Sequence, residues 1–589
     1  MSRLNLNYNI TLGDKAKIKR ISFIGDKKYK DGKLKSIIIS EEYKFWKIIS
    51  GKKYLNEQMI NFDARLLKNF YLNKGYYDVE INSSFAKLLE KDQFELIYNI
   101  NAKNKFFFGN LEINLPADFE DTNYKKLKTS LVELKNEPYS INTVEKILDR
   151  LDVISITEQY ESVKATVSET ITSDKINMKF NIEETEKFMV ERINIFGNNI
   201  TRENVIRNQF VIDEGDPFNE ILANKSINEI KSLNFFKTVK SQVIDGKEKN
   251  SKIINITVEE KPTGELSAGA GFGTGGNVIE FGVKENNYLG KGLGVDAAIS
   301  LGSEKIVGKF NINNPNYKNT DRSVNFGIQA LESDKLENYG YKSNKIGSSI
   351  GTRFEYLEDF NLGISSSIFL EKIETDSTAS ARQKTQEGDY FDTYISLSFD
   401  YDKRNQKFKT TDGFRSRYYV DLPVISENNT LTNRYNYKVF SELYEDNISS
   451  FSLSLSSANS LTGDDIKLSE RLFVPQRKLR GFTRGRIGPK DGNDFIGGNY
   501  YALMNFSSSL PQVLPNAQNV DVVSFIDIAN LWGVDDKSLD EGSEIRSSIG
   551  FAIDYFTVVG PLSFSFATPI TKSKTDQSET FRFNLGTSF

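Results

Sequence analysis

The last nine residues of the chain alternate between two kinds of side chain. Residues of one parity, beginning with Phe581 and ending with Phe589, are apolar or β-branched, whereas residues of the other parity, from Arg582 to Ser588, are polar or small. Because a strand places successive side chains on opposite faces, one face of this segment can meet lipid and the other water. A terminal strand of this kind closes a transmembrane barrel, since no strand edge can stay unpaired in hydrocarbon.

The same alternation continues through the whole C-terminal half. After Pro262 the sequence consists of short alternating segments separated by turns rich in Gly, Asn, Asp and Ser. A soluble sandwich or propeller is the alternative, but the apolar alternate face and the aromatic last residue argue against it. No run approaches about eighteen apolar residues, which excludes a helical membrane protein. Residues 262–589 are therefore predicted to form an antiparallel transmembrane β-barrel of about 16 strands.

The amino-acid composition excludes most kinds of catalytic residue. The chain has no cysteine and no histidine, so disulfides, Cys/His zinc sites, thiol nucleophiles and histidine bases are all excluded. Carboxylate or Ser-Lys chemistry would need a cluster that the sequence does not offer. A net charge of -4 gives no argument for nucleic acid. We therefore expect no enzyme activity, no cofactor and no metal.

The N-terminal part repeats with a period of roughly eighty residues. Each unit begins with a short strand, continues with two helix-compatible stretches and ends with two alternating strands, which predicts a small α+β domain with a three-stranded sheet. The edges of such sheets can accept extended peptides by strand addition, or the units can serve only as spacers. The predicted complete units span residues 15–102, 103–185 and 186–261.

These β-α-α-β-β units resemble POTRA (polypeptide-transport-associated) domains. The resemblance rests on openings of the Ile-x-Phe-x-Gly type and on the Lys-Gly-Tyr-Tyr turn at 74–77 before a strand. Residues 1–14 contain an alternating segment that resembles the last strand of a preceding domain, and they lack a secretory signal. We therefore expect that an N-terminal part of a longer array is missing from this chain.

An ordered series of motifs connects the barrel half to one family. The motifs are Asn-Asn-Tyr-Leu-Gly-Lys-Gly at 286–292, Asn-Pro-Asn-Tyr at 314–317, Asp-Lys-Arg-Asn at 402–405, Leu-Arg-Gly-Phe at 479–482, Ile-Gly-Pro-Lys at 487–490, Gly-Gly-Asn at 497–499, Gly-Pro-Leu at 560–562 and the closing nine residues. Together with the repeats, they resemble the family of POTRA-bearing 16-stranded barrels that form the central subunit of the bacterial barrel-assembly machinery. The resemblance covers essentially the whole chain.

The family resemblance implies that residues 461–496 form a loop that folds back into the barrel lumen. Its predicted motif residues are Leu479, Arg480, Gly481, Phe482, Ile487, Gly488, Pro489 and Lys490. An arginine in a narrow pore needs a carboxylate partner, and Asp527 matches the lumen-facing aspartate of the family. The family often has a second acid on the preceding strand; Ser507 aligns there, so we expect Asp521 or another acid to substitute.

The predicted first barrel strand, residues 263–274, is rich in glycine, which weakens strand pairing. We expect it to form a lateral seam with the last strand that opens more easily than other strand pairs. The alternative is that the glycines only relieve crowding against the lumenal loop. The predicted seam residues are Gly264, Gly269, Gly271, Gly273, Phe581, Phe583, Gly586 and Phe589.

The resemblance implies a function in the outer membrane of a Gram-negative bacterium, with the POTRA domains in the periplasm. These domains would receive unfolded β-barrel proteins, and the seam would template their folding and insertion. Expected partners are those client proteins, accessory lipoproteins bound to the POTRA domains, and outer-membrane lipids. A translocation-and-assembly barrel, a two-partner secretion exporter and a passive porin with a periplasmic arm remain as alternatives.

Overall fold

The computed structural model describes residues 15–43, 51–116, 119–157, 163–184, 186–274, 276–407, 410–427, 429–444, 447–511, 513, 520–536, 538–539, 544–557 and 560–586. The predicted strand within residues 1–14 lies outside the described residues, and so does Phe589. No helix in the described ranges is long and apolar enough to cross a membrane.

Three repeats with the predicted order of elements precede the barrel. The first contains β1 (Lys17–Asp26), α1 (Asp31–Ile37), α2 (Glu57–Leu72), β2 (Glu80–Glu90) and β3 (Gln93–Asn101). The second contains β4 (Phe107–Asn114), α3 (Lys125–Glu133), α4 (Ile141–Thr157), β5 (Val163–Thr172) and β6 (Lys175–Glu184). The third contains β7 (Met189–Phe196), α5 (Glu203–Arg207), α6 (Glu220–Ser232), β8 (Phe236–Asp245) and β9 (Ser251–Glu260).

In each repeat the last strand lies in the centre of the sheet. The orders are β1-β3-β2, β4-β6-β5 and β7-β9-β8, and β3 runs parallel to β1 but antiparallel to β2. Within the described part of the chain, no further strand pairs with the outer side of β2, β5 or β8. Each repeat therefore offers an open edge with backbone donors and acceptors.

The cores of the repeats follow directly from side-chain periodicity. In β3, Leu96, Tyr98 and Ile100 share one face and are fully buried. In α2, Leu67 and Tyr71 are four residues apart and cover that face. The side chain of Asn56 accepts a hydrogen bond from the amide of Met59 and so caps the start of α2.

The turn at 74–77 connects the first two repeats. Gly75 adopts a left-handed backbone conformation with φ +95°, and its carbonyl accepts a hydrogen bond of 2.7 Å from the amide of Phe106. Tyr77 leaves the first repeat and packs edge-on against Tyr139 of the second, with ring centroids 5.1 Å apart. This turn therefore contributes an aromatic side chain to the neighbouring core.

The C-terminal half forms a closed barrel of sixteen antiparallel strands, and the fold class predicted from the sequence is confirmed. Its strands are β10 (Gly264–Gly273), β11 (Gly276–Tyr288), β12 (Leu293–Gly302), β13 (Lys305–Asn314), β14 (Ser323–Lys335), β15 (Tyr341–Leu357), β16 (Phe360–Thr375), β17 (Gly388–Asp402), β18 (Gly413–Ser426), β19 (Thr430–Tyr444), β20 (Asn447–Ser460), β23 (Tyr500–Ser509), β24 (Val520–Trp532), β25 (Arg546–Thr557), β26 (Gly560–Thr571) and β27 (Phe581–Gly586).

Short elements lie in the connections between barrel strands. They are the 3-10 turn Tyr317–Asn319, α7 (Leu336–Tyr339), α8 (Ala381–Lys384), the 3-10 turn Gln476–Lys478, and the hairpin of β21 (Lys490–Asp491) and β22 (Asp494–Phe495). On the strands themselves, one parity points outward and exposes apolar side chains such as Phe281, Ile299 and Ile350, which matches the alternation expected of a lipid-facing wall.

Candidate functional site in the barrel lumen and at its seam

The segment between β20 and β23 folds into the barrel and packs against its inner wall. We call this segment the lumenal loop (residues 461–499). Its buried apolar residues include Leu479, Phe482 and Ile487. They form one apolar cluster with Leu503 of β23 and with Ala529 and Leu531 of β24. The predicted Leu-Arg-Gly-Phe and Ile-Gly-Pro-Lys motifs therefore contain the residues that fill the space between loop and wall.

The structure brings Arg480 and Asp527 together. Asp527 is fully buried and accepts hydrogen bonds from the Arg480 backbone amide at 3.0 Å, from Nε at 2.8 Å and from Nη2 at 2.7 Å. The guanidinium carbon lies 3.2 Å from the centre of the Phe525 ring. Because Phe525 and Asp527 share one parity, both face the lumen and hold the guanidinium by charge and by stacking.

On the preceding strand β23, an amide binds Asp527, and no second acid contacts Arg480 in the described residues. Asn505 donates to Asp527 Oδ1 at 2.9 Å and to the Lys478 carbonyl at 2.6 Å. Ser507 instead bonds to Ser450 of the neighbouring strand. Asp521 lies six residues before Asp527, about 20 Å along an extended strand, and is exposed. The expected substitution by Asp521 or another acid is therefore wrong within the described residues, because the two oxygens of Asp527 alone accept from the guanidinium of Arg480.

Glycine is required where the motif turns against the wall. Gly481 has φ +88°, and a Cβ atom there would lie 3.2 Å from the side chains of both Ser548 and Ala567. A larger residue would be strained in its backbone and would also press on β25 and β26. The position fixes how closely the loop approaches these two strands.

The lumenal loop also contacts the last strand. Arg582 of β27 donates through Nη2 to the Phe482 carbonyl at 2.7 Å, and the Thr483 amide donates to the Gln577 carbonyl at 2.9 Å. The buried Asp576 bonds to Arg546 at 2.7 Å and accepts from the Gly488 amide at 3.3 Å. One side of the seam is therefore tied to the loop by hydrogen bonds.

A second ionic contact of the loop was missed by the sequence reasoning. Lys467 is fully buried, and its ammonium lies 2.5 Å from Asp392 of β17, 3.3 Å from Glu470 and 3.5 Å from Glu371 of β16. Glu371 and Asp392 are far from Lys467 in the sequence, and no local motif marks them. Only the alternation of β16 and β17 could have suggested that both wall acids face inward.

The seam pairs only briefly within the described residues. Every residue of β10 has a partner in β11, whereas three residues pair with β27: Gly271 with Gly586, Phe272 with Leu585 and Gly273 with Asn584. At the first of these positions a glycine faces a glycine, so that no side-chain pair stabilises it.

The other predicted seam residues do not all reach the described seam. Gly264 and Gly269 pair with β11 and have no partner in the described part of β27, and Phe589 is outside the described residues. Phe581 and Phe583 point outward and are opposite Phe566 and Phe564 of β26. The Phe581 ring packs against Phe564 and Phe566 of β26 and against Phe583, so it stabilises the last strand on the side away from the seam.

The motif at 286–292 forms a joint between the third repeat and the barrel. Asn287 is buried and donates to the Thr201 hydroxyl at 2.9 Å, while its side-chain oxygen accepts from the Gly292 amide at 2.7 Å. The Arg202 amide donates to the Gly290 carbonyl at 2.9 Å. The turn after the second barrel strand is therefore hydrogen-bonded to the loop that follows β7.

We expect Gly290→Ala to loosen this joint. Gly290 has φ +70°, and a Cβ atom there would lie 2.0 Å from the Ile200 carbonyl oxygen, so about 1 kcal/mol or more should be lost from the backbone conformation alone. Hydrogen exchange at residues 198–205 should become faster. Gly308→Ala, where a Cβ atom meets nothing within 4 Å, is the control. Unchanged exchange in Gly290→Ala would contradict the assignment of the joint.

Comparison with known proteins identifies the class of this barrel. Residues 287–589 match the Omp85 superfamily domain, and residues 16–103 and 188–261 match the POTRA family, described as surface antigen variable number repeat. The match to the Omp85 domain covers more than half of the chain. The chain belongs to the Omp85 superfamily.

The relatives narrow the resemblance further. The chain is 23% identical over 588 residues to the outer membrane protein assembly factor BamA of Neorickettsia risticii, covering 97% of this chain and 78% of that protein. It is 22% identical over 655 residues to the BamA of Neisseria meningitidis serogroup B, covering 100% of this chain and 80% of that protein. The resemblance inferred from the motifs is therefore confirmed.

A solved structure has the same fold. BamA from Haemophilus ducreyi lacking POTRA domains 1-3 superposes with a TM-score of 0.63 at 20% identity, covering 82% of this chain and 100% of that chain. At this identity, the comparison shows that the barrel fold and its POTRA repeats are shared.

Proposed function

We propose that this protein is an outer-membrane protein assembly factor of a Gram-negative bacterium. Its POTRA domains would lie in the periplasm, receive unfolded β-barrel proteins and bind accessory lipoproteins. The barrel would then promote the folding and insertion of these clients into the surrounding lipid. The names of the relatives support the assembly role, and the seam supports the mechanism.

The open sheet edges support the first step. The outer strands β2, β5 and β8 expose backbone donors and acceptors, and an extended client can pair with them without a specific sequence. Strand addition of this kind suits a receiver of many different unfolded chains. Accessory lipoproteins can use the same edges or the helical faces of the repeats.

The pairing of β10 with β27 is the observation that carries the second step. Because Gly271 faces Gly586, the seam lacks one of the side-chain pairs that stabilise neighbouring strands. Opening it would expose two strand edges to lipid, and an incoming client strand would satisfy their hydrogen bonds. Client folding would supply the free energy, and the seam would lower the barrier.

A disulfide across the seam tests this mechanism. Phe272 and Leu585 face each other, and antiparallel partners lie at a distance that a disulfide can span. The chain has no cysteine, so a Phe272→Cys/Leu585→Cys variant can form only the intended bridge within one molecule, and non-reducing electrophoresis separates it from bridges between molecules. We expect the oxidised variant to lose client assembly in reconstituted vesicles and to regain it on reduction.

The matched control bridges two strands away from the seam. Val283 of β11 faces Ala297 of β12, and the oxidised Val283→Cys/Ala297→Cys variant should remain active. Normal assembly with the seam locked would refute lateral opening and favour passage through the lumen, as in an exporter or a passive porin. Loss of activity in both bridged variants would instead point to a general need for a flexible barrel.

A further inference from the structure

Three cationic side chains converge on one part of the lumenal wall. Arg417 of β18, Asn436 of β19 and Ser454 of β20 occupy one row of paired residues. Lys438 lies two residues from Asn436 on the same face of β19, and Lys478 of the lumenal loop donates to the Ser454 hydroxyl at 3.3 Å. The ammonium of Lys438 lies over the Phe440 ring, 4.7 Å from its centre. Since neighbouring strands are about 4.8 Å apart, Arg417, Lys438 and Lys478 lie on adjoining rows of the same face.

The pairing of residues across neighbouring strands shows that these cations face the inside of the barrel. Lys438 pairs with Ser452, which pairs with Asn505, and Asn505 pairs with Asp527. Asp527 binds the lumenal loop, so the whole row faces the lumen. Lys438 is exposed and Arg417 is half-buried, and their exposed surface therefore points into the interior of the barrel.

The acids of this wall are already paired with other cations. Asp400 accepts from Arg415 at 2.8 and 2.6 Å and from Arg353 at 2.8 Å. Asp402 accepts two hydrogen bonds of 2.7 Å from Arg404. Asp421 on β18 is paired with Arg434.

Arg417, Lys438 and Lys478 have no ion pair with any acid in the described part of the chain. The positive charges of Lys438 and Lys478 act on each other, as do those of Lys478 and Arg417. Between walls of low dielectric, three such charges focus a positive potential. Asp527 acts on Lys478 from a distance, but its carboxylate is already bound by Arg480.

We propose that Arg417, Lys438 and Lys478 form a lumenal cradle for an oxyanion of the phosphate class. A phosphate group has several acceptor oxygens, which suit the fork of one arginine and the point charges of two lysines. The cradle lies near the end of the barrel at which the first strand, β10, begins. The strands β10 and β18 run in the same direction, and Arg417 is four residues from the start of β18.

Titration of the full-length protein in detergent with inorganic phosphate, at constant ionic strength, tests the cradle. We expect Arg417→Gln/Lys438→Gln to weaken binding at least about tenfold, because charge-assisted hydrogen bonds are lost. Arg434→Gln is the control. Arg434 lies on the same strand and face as Lys438, but its charge is already paired with Asp421. The control should bind phosphate within about threefold of the wild type.

A second experiment distinguishes a lipid phosphate from a free phosphate as the bound anion. The titration is repeated in bilayers of phosphatidylcholine with and without phosphatidic acid. Competition by phosphatidic acid would identify a lipid phosphate as the occupant, and its absence would identify a free phosphate. Failure of the wild type to bind phosphate in either setting, equal weakening in the control, or displacement by an acidic peptide alone would overturn the proposal.

Discussion

Replacing Asp527 with alanine should release the lumenal loop while the barrel stays folded. Asp527 has no exposed surface and balances the guanidinium of Arg480, whose side chain is 19% exposed. Removing one member of such a buried pair typically costs about 3 to 5 kcal/mol, because the other charge is left uncompensated. Hydrogen exchange at residues 476–490 should become much faster, and client assembly should fall with it.

The reverse substitution, Arg480→Ala, should give the same loss of loop protection and assembly. It removes the stacking on Phe525 and leaves a buried carboxylate whose remaining donors are the neutral amide of Asn505 and the backbone amide of residue 480. The Arg480→Ala/Asp527→Ala double variant should lose less than the sum of the two single variants, since the pair acts as a unit. Arg477→Ala, an exposed position three residues earlier, is the control. Normal growth complementation by Arg480→Ala would count against the role of this anchor.

The second large effect is expected at Lys467. Its ammonium is surrounded by carboxylates, and removal leaves them buried without their principal counter-charge. The cluster comprises three acids, Glu371, Asp392 and Glu470, and two lysines, Lys467 and Lys345, for a net charge of -1. We expect Lys467→Met to free the start of the loop from β16 and β17 and to cost about 3 kcal/mol or more.

A charge-matched variant separates tethering from charge balance. Lys467→Met/Asp392→Asn keeps the net charge at -1, because one positive and one negative group are removed together. If Lys467 tethers the loop, amide hydrogen exchange at residues 464–472 stays fast in this variant, while the amides of β16 and β17 remain protected from exchange. Full recovery of loop protection would show that Lys467 only neutralises the acids.

Much of the fold could be predicted from local patterns. Alternation identifies the barrel strands, and the repeating strand-helix-helix-strand-strand order identifies the three repeats. Both follow from geometry within a few residues, which depends little on the rest of the chain. The Arg480 and Asp527 pairing was reached through the family resemblance together with the requirement that a charge in the lumen be balanced.

The contacts that surround this pair could not be predicted in the same way. Asn505 and Phe525 carry no special sequence signal, and in the described residues no second acid contacts Arg480 beside Asp527. Lys467 reaches Asp392 across 75 positions of sequence, and such contacts depend on how the strands are staggered around the closed barrel. Stagger is set by the accumulated register of all the strand pairs.

By itself, the sequence determined the alternation of faces, the glycines of the first strand and the charge of the loop motif, because each is a property of neighbouring residues. Only the tertiary structure decided which glycines meet across the seam, which wall residues receive the loop, and which cations remain without an acid. The physical reason is barrel closure. Closure brings the first and last strands together and fixes every lumenal neighbour at once, and neither effect is encoded in any single segment.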